Sequence, residues 1–165
     1  MGYHYPHPML RPYFHRLRDI GAIARPDFPR LVYIDRRAND RRPGANRCLL
    51  NEDEVIAALS RLGFVPVQLE GLSFGEQIGL FANAEAIVAP HGAGLANIVY
   101  ARPGCRLVEL HMDSRVIWCF RTLSAVFGLA YDAVVGREIV TASGPGSTRF
   151  WAVPVVHVVA AVASA

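Results

Sequence analysis

The chain has 165 residues, 52% of them hydrophobic, and a formal net charge of +3 at pH 7. That length fits one domain with enough apolar matter for a core, and all 17 basic residues are Arg, spread along the chain as a codon bias would leave them rather than gathered into a nucleic-acid face. Cys48, Cys105 and Cys119 are odd in number and lack Cys-x-x-Cys spacing, which excludes a zinc ribbon and a disulfide scaffold and suits a reducing cytoplasm.

In chain order, an irregular start leads to a helix predicted from about Pro12 to Ala24, with Phe14, Leu17, Ile20 and Ile23 recurring at helical spacing. Arg25 to Arg30, with two prolines, reads as a linker. Leu31 to Ile34 is a first buried strand, followed by an Arg-rich loop. Asn51 to Leu62 is a second helix, with Asn51 and Glu54 spaced as a capping box. Phe64 to Leu69 is a strand. Ser73 and Glu76 cap a helix running to about Asn83, with Phe74, Ile78, Phe81 and Ala82 inward.

A strand at Ala86 to Ala89, a turn punctuated by Gly92 and Gly94, and a helix from Leu95 to Ala101 come next. Then follow a strand at Leu107 to Leu110, a helix from Ser114 to Gly128 and a strand from Ala130 to Val135. A loop at Gly144 to Ser147 and a last short strand and helix complete the pattern. No apolar run reaches the roughly 20 residues of a membrane span, and Met1 to Pro8 lacks a signal-peptide layout. Alternating strands and helices predict an α/β fold with a Rossmann-like, doubly wound, mostly parallel sheet. Residues 1–30 are then an amino-terminal segment with a linker helix, and residues 31–165 the Rossmann-like domain.

Ligands on such sheets sit outside the carboxyl ends of the strands, and that rule selects the polar residues. Beyond the first strand come Arg36, Arg37, Arg41, Arg42 and Arg47, beyond the third His91, Gly92, Ala93 and Gly94, and at the end of the fourth Glu109, His111 and Asp113. Arginine grips a diphosphate in bidentate fashion. A strand entering a helix through small residues leaves amide N–H groups free for an anion. The alternative is a tight turn whose glycines merely allow close packing. Arg41 and Arg42 are read as solvated, and Arg36, at the strand end, and Arg47, before the next helix, as functional.

The ordered pieces Val32-Tyr33-Ile34-Asp35-Arg36, Arg47-x3-Asn51-Glu52, Gly63-Phe64, Leu72-Ser73-Phe74-x-Glu76-Gln77, His91-Gly92-Ala93-Gly94-Leu95-x-Asn97 and Val108-Glu109-Leu110 resemble the glycosyltransferase family 61 domain. The resemblance is close over roughly residues 30 to 112. That family includes bacterial capsular polysaccharide biosynthesis proteins and eukaryotic transferases of xylose and N-acetylglucosamine. It usually shows Ser where this chain has Asp35 and Thr where it has Ala96.

The resemblance implies a transferase that uses a nucleoside diphosphate sugar, in bacterial capsular or other surface polysaccharide biosynthesis. It also implies two facing Rossmann-like domains (the GT-B arrangement), of which this chain is similar to the carboxyl-terminal, donor-binding one. The amino-terminal domain has no counterpart here, so a fragment, a truncated product or half of a split enzyme is expected. Arg36, Arg47, His91 and the backbone from Gly92 through Ala93 and Gly94 to Leu95, with Asn97, would hold the donor, and Glu109 the ribose. His91 could meet a phosphate or the sugar. No catalytic base is assigned. The expected partners are the nucleotide sugar, a hydroxyl-bearing saccharide acceptor and a missing domain or partner chain, with no nucleic acid and no membrane span. The expected location is cytoplasmic, at most peripheral to the inner membrane.

Three other readings stand beside this one. A nicotinamide dehydrogenase needs Gly-x-Gly-x-x-Gly after its first strand, whereas here the motif follows the third strand and position 97 is Asn. Glu109, His111 and Asp113 alternate as metal ligands can, but Asp113-Ser114 also reads as a helix cap, and neither metal nor cofactor is expected. A catalytically silent nucleotide-sugar binder is the third.

Overall fold

The computed structural model describes residues 7–40, 47–139 and 148–163. A 3-10 turn precedes α1 (Arg11–Gly21) and β1 (Leu31–Ile34). Then come α2 (Arg37–Asp40), β2 (Arg47–Leu49), α3 (Glu52–Ser60), β3 (Val65–Val67), α4 (Phe74–Asn83) and β4 (Ala86–Pro90). A 3-10 helix at Ala93–Tyr100 leads to β5 (Arg106–Met112), α5 (Cys119–Phe127), β6 (Ala130–Ile139), β7 (Arg149–Ala152) and α6 (Val155–Ala163).

Among the described residues, seven strands lie in the order β2-β7-β6-β5-β4-β1-β3. Every pairing is parallel except β6 with β7. The expected mostly parallel α/β sheet is therefore present. Side-chain alternation explains why both faces are covered. On β1, Val32 and Ile34 join the core formed with α4, α5 and the 3-10 helix, while Tyr33 joins the core under α3 and α6. The path from β1 to β3 runs through α3 on one face, and from β3 to β4 through α4 on the other. The chain thus reverses its direction of travel at the β1/β4 junction, which opens a crevice at the carboxyl ends of those strands.

One strand serves two pairings. Residues Ala130 to Gly136 of β6 pair with β5, and Arg137 to Ile139, beyond the end of β5, pair with β7. A side chain at Gly136 would begin 2.3 Å from the carbonyl oxygen of Ala152, so a glycine lets β7 cross close there. β7 and β2 therefore project past the carboxyl edge of β5. Four strand spacings separate β2 from β4, about 19 Å if flat. Yet Arg47 of β2 reaches Gly92, just after β4, so the sheet curls over its own carboxyl edge.

Several local expectations are corrected. The Leu95 to Ala101 helix is a 3-10 helix starting at Ala93. The Arg-rich loop contains α2 and β2, and Arg41 and Arg42, like Gly144 to Ser147, lie outside the described residues. Asn51 does not cap α3. Its side chain clasps the backbone of Val153, donating to the carbonyl at 2.8 Å and accepting from the N–H at 3.1 Å. The Ser73/Glu76 capping box is present, but Phe74 is 64% exposed, reaching only the edge of Tyr100. On α1, Phe14 and Leu17 pack on the core while Ile20 is exposed. The helix predicted from Ser114 begins only at Cys119, and Asp113 instead accepts from the N–H groups of Ser114 and Glu138. Gly128, at φ 76°, ends α5 in the left-handed conformation expected of a glycine stop.

Candidate functional site at the carboxyl edge of the sheet

The crevice between β1 and β4 is a cleft of about 250 Å³, lined by Asp35, Arg36, Glu70, Gln77, Ala93 and Gly94 among others. Its floor is held by Asp35, buried and accepting from the N–H and guanidinium of Arg37 and from Gln68. Burial pushes the Asp35 carboxyl up, but the bonds from Arg37 outweigh it and hold it below the ordinary range. Arg37 also pairs with Asp53, so it is a structural clamp and not a ligand arm. Asp35, unlike the Ser usual in the family, thus secures the first-strand loop by an ion pair.

Arg36 is differently placed. Its Nη1 donates to the carbonyl of His91 at 2.8 Å, while its own N–H reaches the buried Glu52 at 3.3 Å. A Cβ on Gly92 would stand 1.8 Å from Arg36 Nη1 and 3.2 Å from Arg47 Nη2. Gly92 is therefore a glycine because two guanidinium groups converge on its backbone. Its φ of 176° is extended and open to any residue. Gly94 is tight for another reason: a Cβ there would press Leu69 at 2.8 Å. The first bond within the 3-10 helix runs from the Leu95 N–H to the Gly92 carbonyl at 3.0 Å, which leaves the N–H groups of Ala93 and Gly94 ahead of it at the cleft wall.

Leu95 itself is core, and Asn97 donates to Gln77, whose amide holds the carbonyls of Leu69 and Leu72. Both fix the wall rather than face the cleft. Arg47 and His91, with Arg115 and Trp151, line a small hollow beside it.

Glu109, the residue expected to hold a ribose, lies between His91, His111 and Tyr131. It is fully buried, and both oxygens are taken. Oε1 lies 2.5 Å from His91 Nδ1, and Oε2 accepts from Tyr131 at 2.7 Å and lies 3.2 Å from His111 Nε2. Burial pushes this carboxyl up, but the His111 and His91 bonds more than offset that and keep it ionised below the ordinary range. Burial and then the same carboxylate raise the Tyr131 hydroxyl. His91 stacks on His111 at 5.4 Å and packs against Phe120. Sequence reasoning missed Tyr131 and Phe120, because only the β5/β6 register and the position of α5 bring them to Glu109 and His91. It also missed Glu70, the exposed carboxylate at the cleft rim after β3.

His91, Glu109 and His111 offer donor atoms within 4.8 Å of one another, of types that bind divalent metals. His91, and not Asp113, is the third member of the group. The same atoms already satisfy each other as a hydrogen-bonded network. Among the described residues, no helix is long and apolar enough to cross a membrane.

A family model described as Glycosyltransferase 61 matches residues 1–108. The chain belongs to that family. It is 28% identical over 114 residues to the EGF domain-specific O-linked N-acetylglucosamine transferase of Drosophila melanogaster, covering 67% of this chain and 21% of that protein. It is 37% identical over 100 residues to the protein O-linked-mannose beta-1,4-N-acetylglucosaminyltransferase 2 of Canis lupus familiaris and that of Homo sapiens, covering 57% of this chain and 17% of each. The chain thus spans about a fifth of the length of these relatives. Membership makes it part of a family of glycosyltransferases.

Proposed function

We propose that this chain is the donor-binding unit of a transferase that uses a nucleoside diphosphate sugar. The observation that carries the reading is the convergence of Arg36 and Arg47 on the backbone at Gly92, beside the N–H groups of Ala93 and Gly94. Two guanidinium groups and two amides form a cradle for a diphosphate. When the bond from the anomeric carbon to the diphosphate breaks, negative charge grows on the leaving oxygen, and preorganised donors stabilise it. Glu70, at the rim beyond β3, would accept from ribose hydroxyls in this reading.

The acceptor in this proposal is a saccharide hydroxyl, of a surface polysaccharide as the resemblance implied or of a protein-linked glycan such as the relatives' names describe. A GT-B pairing, with a second domain facing the carboxyl edge of this sheet, and a cytoplasmic setting complete it. A catalytically silent binder shares the same donor site and differs only in turnover.

Calorimetry with UDP, GDP, CDP, ADP and NAD tests the reading. At least one nucleoside diphosphate should bind more tightly than NAD, and its affinity should be unchanged by EDTA. Equal or absent binding across the panel would sink the proposal. Loss of UDP binding in EDTA, restored by manganese, would overturn its metal-free form.

A further inference from the structure

We infer that the hollow beside the cleft is an oxyanion subsite, in which Arg47 and Arg115 grip a phosphate or carboxylate group and the indole N–H of Trp151 receives one of its oxygens. The subsite is additional to the donor cradle and stands whether or not a nucleotide binds. The hollow is lined by Arg47, His91, Leu110, Met112, Arg115 and Trp151. Two of these are guanidinium groups, and none is a carboxylate.

The topology brings these residues together. Arg47 and Leu49 of β2 lie in register with Arg149 and Trp151 of β7, so Arg47 and Trp151 are diagonal neighbours on one face of the sheet. Arg115 arrives from the turn after β5. Its N–H closes that turn on the Met112 carbonyl at 2.9 Å, and Asp113 ties the turn to β6 through Gly136 and Glu138. Arg115 is exposed, and among the described residues its guanidinium has no hydrogen bond or ion pair. A firmly held turn thus presents an uncommitted bidentate donor beside Arg47.

Trp151 supplies an independent observation. It is 2% exposed, and its Nε1 is buried without a hydrogen-bond partner. An indole N–H only donates, and a buried donor left unpaired is costly, so this one calls for an acceptor. The hollow measures about 10 Å³, the room of one water-sized sphere. It therefore admits a single oxygen, with the rest of the group at its open side between the two guanidinium groups. An anionic oxygen meets the charge as well as the donor, which a water does not. Such an oxygen comes from the distal phosphate of a nucleoside diphosphate, reached through Arg47 at Gly92, or from a separate anion.

Inorganic phosphate is the probe, read in nitrogen–proton correlation spectra of the isotope-labelled intact chain. The chain has two tryptophans, and Trp118→Phe identifies the Trp151 indole signal. Millimolar phosphate should move that signal downfield to saturation, and sodium chloride at equal ionic strength should not. Arg115→Gln, an exposed change, should leave the rest of the spectrum in place and weaken phosphate about tenfold or more, the loss of one charge-assisted bond. An unmoved indole, equal movement by chloride, or an Arg115→Gln affinity equal to wild type overturns the inference. UDP and UMP separate the two sources. If UDP moves the indole and displaces phosphate while UMP does neither, the subsite takes the distal phosphate. If UDP binds without moving the indole that phosphate moves, the subsite serves a separate anion. A chain that responds to phosphate but binds no nucleotide would end the donor-site reading and leave the subsite standing.

Discussion

The guanidinium of Arg36 occupies the space in which a side chain at Gly92 would begin, and it uses that position to bond the carbonyl of the preceding His91. The glycine is thus required by its neighbours and not by its own backbone, since its φ is extended. The fold supplies this pairing at the β1/β4 crevice, where the donor is proposed to bind.

Gly92→Ala should therefore separate binding from folding. The added methyl displaces the flexible end of Arg36, so the melting temperature should fall by only a few degrees, about 1 kcal/mol or less. Diphosphate affinity should fall about tenfold or more, as for loss of a charge-assisted bond worth about 1.5 to 3 kcal/mol. Arg47→Ala should show the same affinity loss. Gly94→Ala, pressing only a Leu69 methyl, should do less to affinity than either. Calorimetry and thermal melts of the three variants check the order.

Glu109 links acid stability to the site. Its folded pKa lies below the ordinary 4.5, so its contribution is fully present above pH 4.5 and disappears as pH falls through the lower folded value. Glu109→Gln should flatten the acid limb of the melting curve below pH 4.5. Near pH 7 it should cost about 1 to 3 kcal/mol from the disturbed His91, His111 and Tyr131 bonds. An acid limb as steep as wild type would mean that other carboxylates carry it.

Asn51→Asp tests whether residue 51 caps a helix or clasps a distant loop. A capping role tolerates Asp as well as Asn. The clasp does not, because Asp loses the donor to the Val153 carbonyl and turns a negative oxygen towards it. Destabilisation of about 1 to 3 kcal/mol is expected, read by urea unfolding. An unchanged midpoint would restore the cap.

Cys105 should be inert. Burial and the nearby Glu85 carboxylate push its thiol up to about 12, so almost no thiolate exists near neutrality. Alkylation of the folded chain at pH 8, followed by peptide mass spectrometry, should leave Cys105 unmodified until denaturant is added.

The sequence by itself determined the alternation of strands and helices, the mostly parallel sheet and the edge at which polar residues collect. Hydrophobic runs and caps are local signals, as the Ser73/Glu76 box illustrates. It also placed Arg36 and the His91–Gly94 turn together, because parallel strands bring their carboxyl ends to one edge. Only the tertiary structure decided which of these groups face the cleft. Arg47 arrives by the curl that β6 imposes when it pairs with β5 and then with β7, a long-range event with no local signature. Glu109 turned from an expected ligand into the buried anchor of His91, because one strand face is buried under α5 and the neighbouring strand supplies Tyr131. Periodicity shows that a side chain points to a face. What stands opposite it there is set by register and packing, which residues far apart in the chain decide together.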